Sequence, residues 1–96
     1  MRIIIVGGGL AGTNLAQMLG SAGHTVTLVD RDPKIVSRGF VEFGLATIVG
    51  DGTDPQVLRD ADAGRADVVA AMLRRDADNL AVALLARAAG VERVMV

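Results

Sequence analysis

Apolar residues come along this chain in five short, nearly unbroken runs: Ile3–Val6, Val26–Val29, Ala46–Val49, Val68–Ala71 and Val94–Val96. Runs of this length without polar alternation are expected of strands covered on both faces. The segments between them change period. Ala11, Leu15, Met18, Leu19 and Ala22 fall at i, i+4, i+7, i+8 and i+11. Val36, Phe40 and Phe43 give a second helical stripe, and Val57, Leu58 and Ala61 a shorter third. Punctuation supports the division. Asp32-Pro33 and Asp54-Pro55 each place a capping carboxylate before a proline at the first helical position. Gly23, Gly44, Gly64 and Gly90 stand where a helix would end on a left-handed residue.

The elements predicted are β1 (2–6), α1 (10–22), β2 (25–29), α2 (33–43), β3 (46–50), α3 (54–62), β4 (67–72), α4 (76–89) and β5 (92–96). Strict alternation demands a parallel sheet with crossover helices on both faces. The expected fold is therefore α/β, a three-layer Rossmann-like domain over residues 1–96 with strand order 3-2-1-4-5, broken off after β5. Ninety-six residues suffice for one domain.

Chemistry enters at the first turn. In "IIIVGGGLAGTNLA", residues 3–16, a strand runs into Gly7-x-Gly9-x-x-Gly12 and then into a helix. In a dinucleotide-binding turn Gly7 makes the tight bend, Gly9 admits a pyrophosphate to the backbone, and Gly12 lets helix and sheet approach. The pyrophosphate then meets the unpaired amides at the helix start. The same glycines would also serve a tight turn with no ligand. Asp30 ends β2, 21 residues after Gly9, where an acidic residue accepts hydrogen bonds from a ribose. It would repel a 2′-phosphate, favouring NAD over NADP; as a plain loop carboxylate it would only be solvated. Arg31 beside it either stacks on adenine or offsets that bias. Polar residues recur after β3, in Asp51-Gly52-Thr53-Asp54, and after β4, in Arg74-Arg75-Asp76. This is the sheet edge at which open α/β folds bind ligands. Asp54 and Thr53 read as caps of α3, Asp51 and Gly52 as adenine contacts, and the two arginines as either phosphate contacts or an exposed pair.

Composition removes alternatives. The net charge is −1, the pI about 5.6, and the aromatic residues are two Phe, so there is neither a basic stripe nor a stacking platform for nucleic acid. Without cysteine there is no disulfide or thiolate metal site. The apolar runs are too short and too interrupted to span a membrane, and the glycines cut the first run too early for a signal peptide. Hydride-transfer catalysis needs a proton-transferring group at the ligand edge. The sole histidine, His24, precedes β2, roughly 16 Å away at the other end of the sheet, and Ser21 and Ser37 belong to helices. A non-enzyme is expected; the alternative is the dinucleotide-binding fragment of an NAD-dependent dehydrogenase. Leu80–Ala89 is apolar nearly all round apart from Arg87. Either its second face meets another subunit, or its alanines merely favour helix.

"IIIVGGGLAGTNLA", "GHTVTLVDRDP", "VGDGTDPQVL", "ADVV" and "DADNLAVALLAR" come in this order over nearly the whole chain. Together they resemble the N-terminal nucleotide-binding lobe of RCK/KTN domains, the cytoplasmic regulators of potassium channels and Trk/Ktr-type transporters. "VGDGTDP" combined with "D-x-D-N-L" is the most specific part. The resemblance implies a regulatory domain that binds NAD(H), ATP, ADP or AMP and gates ion transport by conformational change. It implies a homodimer or higher ring, held at the inner face of the membrane by a channel or transporter subunit. By position the ligand contacts are Gly7, Gly8, Gly9, Leu10, Ala11, Gly12, Asp30, Arg31, Asp51, Gly52, Leu73 and Arg74. The chain departs from the pattern after β4, where "MLRRD" stands in place of a small hydroxyl residue followed by acidic or amide ones. The family lobe also continues through a sixth strand, so the chain is expected to be a piece of a longer lobe.

Overall fold

The β-branched run of β1, Arg2–Gly7, lies at the centre of a parallel sheet, between β2 (Thr25–Asp30) and β4 (Val68–Met72). The computed structural model describes all residues, Met1–Val96. β3 (Ala46–Val49) and β5 (Arg93–Met95) form the edges, giving the expected order β3-β2-β1-β4-β5. Pairing is in register, Ile3 with Val26 and Val68, Ile5 with Leu28 and Ala70. Side chains of a strand alternate, so these six share one face with Ala16 and Leu45 as a buried cluster. Ile4, Val6, Val29, Val69 and Ala71 share the other with Leu58, Ala61, Val82, Ala86 and Val91. Helices α1 (Gly9–Ser21) and α2 (Pro33–Phe43) cover the first face. Helices α3 (Pro55–Asp60) and α4 (Asp76–Ala88) cover the second.

Two helix faces differ from the sequence-based stripes. α1 turns Gly12, Thr13 and Ala16 to the sheet; Leu15 and Leu19 are half-buried, and Met18 is 69% exposed. α2 buries Val36 and Gly39, leaving Phe40 64% exposed. In both cases the helix lies so close to the sheet that small residues carry the contact. A Cβ on Gly39 would come within 3.1 Å of Leu28 Cδ2.

The caps follow the sequence with one exception. Asp32 Oδ1 accepts the Lys34 N–H and Asp54 Oδ1 the Gln56 N–H, each at 2.9 Å. Gly23, Gly44 and Gly90 adopt φ of 96°, 64° and 99°. Gly64 does not cap α3. That helix ends early, Asp62 takes the left-handed conformation at φ 63°, and Gly64 lies within a single 3-10 turn, Ala63–Arg65. Aspartate tolerates that region better than most residues with a side chain, so the chain reverses two residues earlier than the glycine suggests.

Candidate functional site

The end of β1 turns through three successive glycines, Gly7, Gly8 and Gly9, with φ of 80°, 90° and 53°. Few other residues accept one such φ without strain, and three in a row require glycine. Gly8 is the N-cap of α1 and its carbonyl accepts the Gly12 N–H at 3.0 Å, the first bond of the helix. The amides of Gly9, Leu10 and Ala11 therefore have no helical acceptor, and no side chain caps them. A Cβ on Gly9 would meet nothing within 4 Å, so this point of the turn faces open space. Gly12 is the opposite case: a Cβ there would run into the Gly7 carbonyl oxygen. The two positions thus divide the labour expected of them, one leaving room and the other permitting contact. The buried Thr13 hydroxyl donates to the Gly9 carbonyl at 2.9 Å, tying down the first turn. Sequence reasoning passed it over, although a hydroxyl four residues after Gly9 is the signal for such a bond.

Across the turn, Asp30 ends β2. Its Oδ1 accepts the Asp32 N–H at 2.9 Å, which leaves Oδ2 with no partner in the protein. The Asp30 carbonyl accepts the Gly50 N–H, also at 2.9 Å, linking the ends of β2 and β3. On the other side, Leu73 follows β4 and its side chain lies against Gly7. Asn79 holds the Leu73 backbone from both sides. Its Oδ1 accepts the Leu73 N–H at 2.7 Å, and its Nδ2 donates to the Leu73 carbonyl at 3.0 Å. This is the structural use of the "D-x-D-N-L" stretch: its asparagine fixes the β4–α4 turn.

Between these walls opens a cleft of about 590 Å³, lined by Gly7, Gly8, Gly9, Leu10, Asp30, Arg31, Leu73 and Arg74, with Asp32, Ile35 and Met72 completing it. The volume suits a small-molecule site, but a cleft of about 610 Å³ beside His24 at the other sheet end is as large. What distinguishes the first is its orphan amides at the start of a helix. His24 Nδ1 pairs with the amino group of Met1 at 3.0 Å, away from the glycine turn. Asp32, Ile35 and Met72 were not singled out by sequence, because an N-cap and two core-like residues carry no ligand signature.

Four of the expected contacts do not line the cleft: Ala11, Gly12, Asp51 and Gly52. Ala11 is exposed on the first helical turn, while Gly12 is buried beneath it. Gly52 is buried against the end of β1, where a Cβ would collide with Val6 Cγ1 and stand 3.7 Å from Val82 Cγ2. Asp51 Oδ1 accepts the Thr53 N–H at 2.9 Å and the Thr53 hydroxyl at 2.7 Å. The backbone bond and then the hydroxyl bond hold the Asp51 carboxyl below its ordinary 3.8; partial burial opposes them and the Arg31 charge assists. Because the folded value is depressed, this stabilisation is complete above the ordinary carboxylate range and lost as the pH falls through the folded value. Thr53→Val is expected to raise the titration point of Asp51, so that this stabilisation is smaller and its loss is complete at a higher pH. Carboxyl chemical shifts followed through an acid titration check this, and an unmoved Asp51 would contradict it.

The comparisons with known proteins accord with this geometry. Residues 3–96 match the family model described as the TrkA-N domain. The chain is 41% identical over 95 residues to the Trk system potassium uptake protein TrkA of Streptomyces coelicolor, covering 98% of this chain and 43% of that protein. It thus spans less than half the length of that relative. Among solved structures, the Kef C-terminal domain of Shewanella denitrificans in its AMP-bound form superposes with a TM-score of 0.81 at 19% identity, over 99% of this chain and 57% of that one. The GsuK channel bound to NAD gives 0.78 at 22% identity, over 98% and 21%. At these identities the structural likeness shows a shared fold. No helix of the chain is long and apolar enough to cross a membrane.

Proposed function

The chain belongs to the TrkA-N domain family, and from that premise we propose that it is the nucleotide-sensing lobe of a potassium channel or transporter, binding NAD(H) or an adenine nucleotide in the cleft over Gly7–Leu10. The observation that carries this is the facing of two complementary groups: unpaired amides at the mouth of α1, and the free Oδ2 of Asp30 one strand away. Amides and helix dipole stabilise a phosphate, and a carboxylate oxygen accepts from ribose hydroxyls. Arg31 and Arg74 add positive charge at either side. The Ala11 amide belongs to the unpaired set, while Gly12 lies buried beneath the turn.

The role is regulatory rather than catalytic. One oxygen of Asp30 and one of Asp32 are engaged by backbone amides, and the remaining ionisable groups of the cleft are arginines, which do not give up a proton in proteins. Binding acts by population shift, and only a ligand that binds two arrangements of a larger assembly unequally moves their balance. Helix α4 supplies a surface for such an assembly: Leu80 and Leu84, one turn apart, are 60% and 62% exposed while Val82 and Ala86 face the core. We take the assembly to be a homodimer or a higher ring, on the cytoplasmic side of a membrane subunit. Titration with NAD, NADH, ATP and ADP while unfolding is monitored tests the binding step. At 100 times its Kd a ligand adds about 2.7 kcal/mol of stability, so the midpoint is expected to rise by roughly 10–20 °C for a domain this small. An unmoved midpoint with all four refutes the nucleotide role.

A further inference from the structure

The β1–β4 ladder ends at the pair Gly7–Met72, so Leu73 is the first residue of that wall without a strand partner. Asn79 supplies one. Its carboxamide accepts the Leu73 N–H at 2.7 Å and donates to the Leu73 carbonyl at 3.0 Å, imitating one more peptide unit of a sheet. Asn79 is not the cap of α4. Arg75 holds that position and its carbonyl accepts the Asn79 N–H at 3.1 Å, so Asn79 stands inside the first turn. What the clamp keeps in place is a contact with the glycine turn. A Cβ on Gly7 would come 2.5 Å from Leu73 Cδ2, and one on Gly8 would come 3.2 Å from Met72 Cβ. The end of β4 thus backs the two glycines with which the turn begins.

We propose that Asn79 is a positioning residue for the cleft: by clamping Leu73 it keeps that side chain against Gly7 and holds the glycine turn in its ligand-ready shape. This rests on the nucleotide reading of the same cleft. Asn79 does not line the cleft and acts only through Leu73, which does. Without the clamp, the Leu73 N–H and carbonyl lose both partners, and a half-buried peptide group so deprived turns toward water. Its side chain moves with it. Gly7 then loses the wall that confines it, and glycine has a wide conformational range to explore. The turn spends part of its time in shapes whose amides do not converge on one point. Apparent affinity falls in proportion to the fraction that keeps the proper shape. The effect is reciprocal: a ligand that holds the turn also protects the Leu73–Asn79 bonds. An ionised carboxylate at position 79 would not serve, because it has no donor for the Leu73 carbonyl.

The test compares the 96-residue wild type with Asn79→Ala, Leu73→Ala, the double variant and Arg87→Gly, each titrated calorimetrically with ADP and with NAD. Arg87→Gly is the control, since it weakens the exposed far end of α4 through helix propensity alone. Asn79→Ala is expected to bind both ligands about tenfold less tightly, the scale of one to two lost hydrogen bonds. Leu73→Ala is expected to lose affinity as well, and the double variant no more than the weaker single one, because the two residues act in series. Before any ligand is added, the amide resonances of Gly7, Gly8 and Gly9 are expected to move in Asn79→Ala and to stay in place in Arg87→Gly. One further arm needs no variant: saturating ADP is expected to slow hydrogen exchange at the Leu73 amide of the wild type. Additive losses, undiminished affinity in Asn79→Ala, unmoved glycine resonances or unchanged Leu73 exchange each overturn the inference and leave the nucleotide site standing. A wild type that binds neither ligand overturns the nucleotide reading, and this inference with it.

Discussion

Gly12→Ala is expected to destabilise the protein by about 2 kcal/mol and to remove nucleotide binding with it. The added Cβ would occupy the place of the Gly7 carbonyl oxygen. Backbone cannot swing aside as a long side chain does, so α1 must lift from β1 or the glycine turn must open. Overpacking of this kind costs up to about 3 kcal/mol and occasionally more. The helix propensity gained on replacing glycine offsets only about 1 kcal/mol of it. A net loss near 2 kcal/mol is a large share of the roughly 5–15 kcal/mol that holds a domain together. It lowers the thermal midpoint by about 8–16 °C. The control lies in the same helix. A Cβ on Gly20 would meet nothing nearer than Leu45 Cδ2, at 3.9 Å, so Gly20→Ala is expected to be neutral or slightly stabilising. Thermal unfolding of the pair decides the point, and equal midpoints would mean that the close approach at Gly12 is not what glycine provides there.

For Asp30→Ala the expected loss is in affinity. Hydrogen bonds to a charged group contribute about 1.5–3 kcal/mol, which is roughly a tenfold to hundredfold change in Kd. The fold loses less, since the carboxylate makes one bond within the protein, to the Asp32 N–H. Asp30→Asn separates the two roles. It keeps an oxygen for that amide, so the turn survives, but it no longer repels a 2′-phosphate. The asparagine variant should therefore bind NADP nearer to its affinity for NAD than the wild type does. Calorimetry with both dinucleotides measures this, and an unchanged ratio would remove Asp30 from the ligand's surroundings.

The order of elements was legible because the chain marks its own boundaries. Asp32-Pro33, Asp54-Pro55 and the glycines at 23, 44 and 90 each occupy the position their backbone chemistry suits. The faces of α1 and α2 were less legible. Periodicity weighs large side chains, whereas here Gly12, Ala16 and Gly39 carry the closest packing, so Met18 and Phe40 were misplaced to the core. Gly64 failed as a cap because Asp62 could take the same conformation sooner.

Around the cleft, the shape of the glycine turn was readable, since three successive positive φ angles require glycine, and Asp30 ends β2 as expected. The β4 wall was not. Leu73 looked like a residue that merely lacked a hydroxyl, and nothing local reveals that Asn79, six residues on, occupies its backbone. Asp51 and Gly52 were expected beside the ligand because they follow a strand at the binding edge. What spacing did not announce is their packing: Thr53 bonds one carboxylate oxygen of Asp51, and Gly52 lies against Val6.

The most direct test is to follow the backbone amide resonances of the chain during titration with ADP. The amides of Gly9, Leu10 and Ala11 are expected to shift furthest and saturably, with Arg31 and Arg74 following, while those of Ser21, His24 and Gly44 at the far end of the sheet stay in place. Shifts gathered around His24, or none at the mouth of α1 at saturating ligand, would contradict the account.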